Sequence, residues 1–175
     1  MTTGDWRSLA ARQFVRMHTD LTALLTGVPD RMLHVRPAAL PGANTPAWLL
    51  WHVARGQDRN VSELLGRAQL WTAGDRAARF GRLPDPADTG LGHTPEEAAA
   101  FHVPSPAGET LAAYLADAHA RTLAYLAGAP GDDATRAVTS PTLRDTRTVE
   151  ERLAALLRDG FEHTGQLSVL LPSAG

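Results

Sequence analysis

TVEERLAALLRDGFEHTGQLSVLL, residues 148–171, decides the fold. Val149, Leu153, Leu156, Gly160, His163, Leu167 and Leu170 step by four, three, four, three, four and three. That spacing lays one stripe along an α-helix and turns it toward a core. Thr148 followed by Glu151 reads as a capping box, in which hydroxyl and carboxylate each satisfy a backbone N–H at the helix start. The helix is expected to end near Leu171-Pro172, since proline cannot extend it.

Three further segments carry the same period. From about Gly4 to Thr26, Leu9, Phe14, Met17, Leu21, Leu24 and Leu25 recur at roughly helical spacing, and Gly27 and Pro29 stop the run. The second helix opens at Asn44 or Thr45 as cap, with Pro46 in the first turn, where its missing N–H costs nothing. It continues through Trp48, Leu49, Val53, Val61 and Leu64 to Gly66. The third opens at Ser105-Pro106 and runs to about Ala127, ended by Gly128 and Pro130. Between the second and third, residues 69–104 are rich in Gly, Pro and Asp. A short helix is expected at the capping box Thr94-Pro95-Glu96-Glu97, and a turn around Arg76 to Phe80. So long a connection should be packed, with Trp71, Phe80 and Phe101 as its anchors. Residues 129–147 read as polar and irregular, with a short strand at Ala137 to Ser140. The expected fold is all-α: one domain over residues 1–175, a four-helix bundle with a long irregular crossover between helices 2 and 3.

Composition narrows the chemistry. With 175 residues the chain can bury a core without staples. The net charge of −2 offers no basic face for nucleic acid or an anionic membrane. There is no cysteine, which excludes disulfides, Cys–metal sites and an internal thiol nucleophile. All 17 basic residues are arginine, so a lysine Schiff base is excluded as well. Met1 to Trp6 lacks a basic stretch leading into an apolar run, and no window approaches a membrane span, so a cytoplasmic location is expected.

The polar residues within the stripes point to a site. Asp159 and His163 stand one turn apart on the core face of the fourth helix, about 6 Å from each other and aimed the same way. A carboxylate there must be paired, protonated or bound to metal. Gly160 and Gly165 flank the pair inside the helix, each costing roughly 1 kcal/mol against alanine. On the second helix His52 lies among Leu49, Leu50 and Val53 and supplies a third donor. One histidine on each of two facing helices, with a carboxylate, leaves a divalent ion open to water or substrate. The plainer alternative is a metal-free core pair of Asp159 and His163. Arg55 and Gln166 are candidate substrate-orienting neighbours. Arg55 and Arg59 follow His52 at helical spacing and could anchor a carboxylate. Alternatively they form a solvated face, with Arg59–Glu63 as an i,i+4 pair. His18, His34, His93 and His102 are expected to face solvent, and His119 is a further candidate ligand from the third helix. Paired Glu-x-x-His, H-E-x-x-H, phosphate-cradling glycine loops and G-x-S-x-G are all missing from the sequence.

TPAWLLWHVARGQD (45–58) and FEHTGQLSVLL (161–171) together resemble the DinB/YfiT-like superfamily, which includes mycothiol-dependent maleylpyruvate isomerase. In that superfamily a histidine follows a Trp-containing apolar run on the second helix, and the last helix carries a pattern like H-x-x-x-H-x-G-Q. His52 matches the first histidine, His163 the last, and Gly165-Gln166 the G-Q. Asp159 departs from the histidine most members carry and is closer to the maleylpyruvate isomerase branch, which uses a carboxylate. The resemblance implies a divalent metal, usually zinc or nickel, held by His52, Asp159 and His163, and often a homodimer. It also implies a low-molecular-weight thiol such as mycothiol or bacillithiol as cosubstrate in transfer or isomerisation. Two functions are therefore expected: a metal-dependent enzyme activating an external thiol or water for transfer, isomerisation or hydrolysis, or a non-catalytic stress-response protein that binds a metal or small ligand.

Overall fold

A computed structural model describes residues 5–171. The expected start at Gly4, most of the Met1 to Trp6 stretch read as lacking a basic and apolar run, and the terminal Pro172 lie outside the described residues. In chain order the helices are α1 (Trp6–Leu25), α2 (Asp30–Leu33), α3 (Pro46–Leu65), α4 (Arg76–Arg79), α5 (Pro95–Ala99), α6 (Ala107–Gly128) and α7 (Val149–Leu170). The strands β1 (Ala137–Thr139) and β2 (Thr146–Thr148) precede α7. The long helices α1, α3, α6 and α7 form the four-helix bundle. α6 and α7 each pack against both α1 and α3.

The caps explain the boundaries. Thr45, not Asn44, caps α3: its hydroxyl accepts from the Trp48 N–H, and Gly66 ends the helix at φ 61°, a left-handed conformation that glycine adopts without strain. Both capping boxes form, Thr94 with Glu97 and Thr148 with Glu151. On α1 the buried stripe is Phe14, Met17, Leu21 and Leu25, whereas Leu9 is exposed. The expected stripe began one turn too early.

The crossover changes the character of α3. Trp71, Phe80 and Phe101 are buried as expected, and they close over Trp51 and Tyr114 in a chain of aromatic contacts. α3 is therefore covered on its outer side as well as its bundle side, and nearly every residue of it is buried. Arg55, Asp58, Arg59 and Asn60 consequently lie inside the protein, and the solvated face expected for Arg55 and Arg59 does not exist. The Arg59–Glu63 pair does not form either: Glu63 accepts instead from the Thr142 hydroxyl. Asp58 is the hub that makes this burial tolerable. It accepts from the Leu70 and Trp71 N–H groups, the Ser62 hydroxyl and the Tyr114 hydroxyl, with Arg55 at 3.5 Å.

The short strand expected at Ala137 to Ser140 is present as β1, and it has a partner in a segment read as polar and irregular. β1 pairs antiparallel with β2, Val138 opposite Arg147. The sequence TRT of β2 has no apolar alternation, and so no sequence signal of a strand. Arg152 of α7 ties the hairpin down by donating to the Val138 and Asp145 carbonyls and to the Asp145 carboxylate. No helix among the described residues is long and apolar enough to cross a membrane.

Candidate metal centre

His52 and the Asp159–His163 pair meet where α3 packs on α7. The His52 Nε2 stands 3.6 Å from Asp159 Oδ2, and the His163 Nε2 stands 3.4 Å from Asp159 Oδ1. One donor atom from each residue lies within 4.8 Å of the others. Donors about 2.0–2.1 Å from one ion in a tetrahedral arrangement stand roughly 3.3 Å apart, so these spacings are near those a shared ion needs. Among the described residues no other group of three His, Cys, Asp or Glu side chains converges in this way. His119 does not join it; its ring stacks on His18, 4.2 Å between centroids.

The second nitrogen of each imidazole is already committed. His52 Nδ1 is 2.5 Å from the Thr89 carbonyl oxygen, which can only accept, so the proton sits on Nδ1 and Nε2 keeps a lone pair when the ring is neutral. His163 Nδ1 stands 3.0 Å from the Gln166 amide oxygen, which acts in the same way. Outer partners of this kind fix tautomer and ring orientation in metal-binding histidines. Trp48, one turn before His52, stacks flat on its ring at 4.7 Å.

The approach of Thr89 depends on its neighbour. Gly90 has φ +84°, and a Cβ there would fall 2.8 Å from Trp48 Cζ2 and 2.9 Å from His52 Nδ1. Only glycine lets the crossover backbone lie so close to α3. Neither Thr89 nor Gly90 stood out in the sequence. A backbone acceptor leaves no mark in side-chain pattern, and Gly90 is one glycine among several in the crossover.

Asp159 is not deep in the core: its side chain is 40% exposed, against 11% for His52 and 14% for His163. The centre opens at the bundle surface on the carboxylate side. Burial opposes ionisation of Asp159, yet the His163 and His52 rings beside it, 3.4 and 3.6 Å away, outweigh it and hold the carboxyl well below the usual carboxylate range. Burial likewise works against a charge on His163, but Asp159 and Gln166 raise its pKa above that of a free imidazole.

The proposed substrate-orienting residues fare differently. Gln166 is at the site, bonded to His163. Arg55 is not, because its guanidinium is fully buried and already engaged with the Asp88 and Pro86 carbonyls, the Gln69 amide oxygen and the Tyr114 hydroxyl. It reaches the site only indirectly, by holding the crossover that carries Thr89. Of the histidines expected in solvent, His93 accepts from the Trp48 indole, His34 accepts from the Val103 N–H, and His18 is stacked; His102 is exposed.

Beside the centre lies a cavity of about 260 Å³ whose lining includes His52, Asp159, Arg59, Asn60 and Arg152.

A search of proteins with curated descriptions finds no match. Among solved structures, the chain is similar to a conserved protein of Enterococcus faecalis at 27% identity and a TM-score of 0.80, covering 96% of each chain. The family model described as the DinB superfamily matches residues 13–167, a span that includes α3, the whole crossover and all three converging side chains. The chain belongs to the DinB superfamily.

Proposed function

We propose that this protein is a divalent-metal-dependent enzyme whose metal is held by His52, Asp159 and His163. The observation that carries the reading is the arrangement of the two imidazoles. Each has Nδ1 tied to an oxygen and Nε2 turned to the same carboxylate. Two nitrogens and one carboxylate oxygen are the donors that zinc or nickel accepts, and three protein donors leave room for an exogenous ligand.

A divalent ion held there lowers the pKa of a coordinated thiol or water and so supplies a nucleophile near neutral pH. The chain lacks cysteine, so a thiol would have to arrive on a small molecule, in keeping with a mycothiol- or bacillithiol-type cosubstrate. The protein's own part is to fix the donors. Thr89 and Gln166 set the tautomers, Trp48 holds the His52 ring, and ionised Asp159 faces the open side, where substrate enters.

Elemental analysis of protein purified without a histidine tag is the first test, followed by thiol consumption with an electrophile, with and without chelator. Close to one zinc or nickel per chain, lost in His163→Ala, together with chelator-sensitive turnover, supports the reading. Metal-free protein that takes up no ion on reconstitution refutes it. Stoichiometric metal without turnover across several thiols and ester or amide substrates would instead favour a non-catalytic binding role.

A further inference from the structure

Arg59 is a buried charged group that the fold leaves without a contacting counter-ion; Glu63, one turn along α3 and with its buried Oε2 also unpartnered, acts on it only from beyond contact. Arg59 is 8% exposed, and among the described residues no carboxylate stands within ion-pairing distance of it. Its one hydrogen bond goes from Nη1 to the Thr89 hydroxyl at 3.3 Å, and its buried Nε has no partner. Other buried arginines are answered: Arg55 has Asp58, and Arg152 has Asp145 at 2.8 Å. A desolvated cation without a counter-ion is costly, and a fold that keeps one needs a compensating anion. Burial together with the nearby Arg55 and Arg152 charges depresses its pKa, while Glu63 and Asp145 act from beyond contact.

Its position supplies the rest. Arg59 lines the cavity whose wall contains His52 and Asp159, and Arg152, whose buried Nε also lacks a partner, is in the same lining. Leu91, Leu143 and Leu156 make the apolar part of that lining. We propose that the cavity is a substrate subsite for a small organic acid, its carboxylate on the Arg59 guanidinium, its body against these leucines and its reactive end toward His52 and Asp159. A planar guanidinium fork matches a carboxylate, and a cavity of about 260 Å³ has room for a small acid of about eight heavy atoms at the ~30 Å³ a water occupies. The proposal deepens the metal-enzyme reading and rests on it for the word substrate; the binding itself does not require the metal.

The test is therefore run on metal-free protein, with the chelator, itself a polycarboxylate, dialysed away. Butanoate and its neutral analogue butanamide are titrated by calorimetry at constant ionic strength. Butanoate is expected to bind and butanamide not to. Arg59→Gln should weaken butanoate by about tenfold or more, as loss of a buried charge-assisted contact does. Arg16→Gln, on the exposed face of α1 and far from the cavity, should bind butanoate as the wild type does. Arg59→Gln should also melt at or above the wild-type temperature in anion-free buffer, since it removes an uncompensated cation. Butanoate binding that survives Arg59→Gln unchanged, equal binding of butanamide, or a large loss of stability in Arg59→Gln without ligand would each overturn the proposal. Metal content is read separately: wild type that binds butanoate but no metal leaves this subsite standing and removes the catalytic reading, and metal without butanoate does the reverse.

Discussion

Gly160 and Gly165 are two glycines in one helix, five residues apart, and alanine at each should act in opposite directions. A Cβ on Gly165 meets nothing within 4 Å, so Gly165→Ala should gain the helix-propensity difference of up to about 1 kcal/mol. A Cβ on Gly160 would fall inside the van der Waals envelope of the Met17 sulfur, with the Met17 Cε and Cγ at 3.3 and 3.5 Å. The sulfur would have to retreat by roughly 1.5 Å to regain an ordinary separation. Met17 is 2% exposed, so it has little space to retreat into. Forcing an extra methyl into such a core costs about 1–3 kcal/mol, which leaves Gly160→Ala neutral to about 2 kcal/mol destabilised. Because the propensity gain is common to both variants, the gap between them isolates the steric contact. It should be about 1–3 kcal/mol by urea unfolding, or about 2–4 °C per kcal/mol in thermal melting for a chain of this size. In a Met17→Ala background the obstruction is gone, and Gly160→Ala should become stabilising. Equal stabilisation by the two substitutions in the wild-type background would refute the reasoning. It would mean that α1 does not crowd α7 next to Asp159.

Four further outcomes can be checked with simple measurements. Asp58→Ala leaves the fully buried Arg55 without its carboxylate and strips the Leu70 and Trp71 N–H groups of their acceptor; chemical denaturation should show a loss of about 3–5 kcal/mol. Gly90→Ala should push the Thr89 carbonyl off His52 and lower metal affinity by about 10–100-fold in a competitive chelator titration, with secondary structure unchanged by circular dichroism. Asp159→Ala should leave protein that retains no stoichiometric zinc or nickel after dialysis, read by elemental analysis. The fourth concerns pH. Burial, with a smaller push from His18, lowers the His119 pKa to about 4, and burial lowers that of His18 as well. The unfolded chain therefore binds more protons than the folded one once pH falls below about 6.5, and stability drops from there down to about pH 4. Denaturation midpoints measured across that window should fall with acidity, and His119→Gln should flatten the slope.

Helix positions were legible because capping and periodicity are local. Thr148, Thr94 and Pro46 announced themselves, and the seven positions of the α7 stripe are the ones that face the bundle. The convergence of His52 with Asp159 and His163 was legible for a related reason: only one polar pair interrupts that stripe, and only one histidine lies in the apolar run of α3. What the pattern could not convey was the second burial of α3. An amphipathic reading assigns the Arg55, Asp58 and Arg59 side to water, because nothing in the helix itself records that residues 69–104 fold over it. The same blind spot made Arg55 look like a substrate ligand, although it braces the crossover. It also hid Arg59, whose importance comes from the partner it lacks. Of the β-hairpin only the first strand, at Ala137 to Ser140, was anticipated; β2 escaped notice because Thr146–Thr148 is too short and polar to alternate.

The stretch from Pro86 to Thr89 serves two masters through its backbone alone. Its carbonyls at Pro86 and Asp88 receive the Arg55 guanidinium, and the next one, at Thr89, receives the imidazole of His52. Connections between helices ordinarily absorb an added or deleted residue at little cost. Here a one-residue slip would shift the chain by roughly 3.5 Å, farther than a hydrogen bond can stretch, and His52 would lose the acceptor that decides which of its nitrogens is bare. For these three bonds the side chains of Pro86, Asp88 and Thr89 matter less than the count of residues between them and α3: what the backbone delivers here is fixed by the loop's length rather than by its spelling.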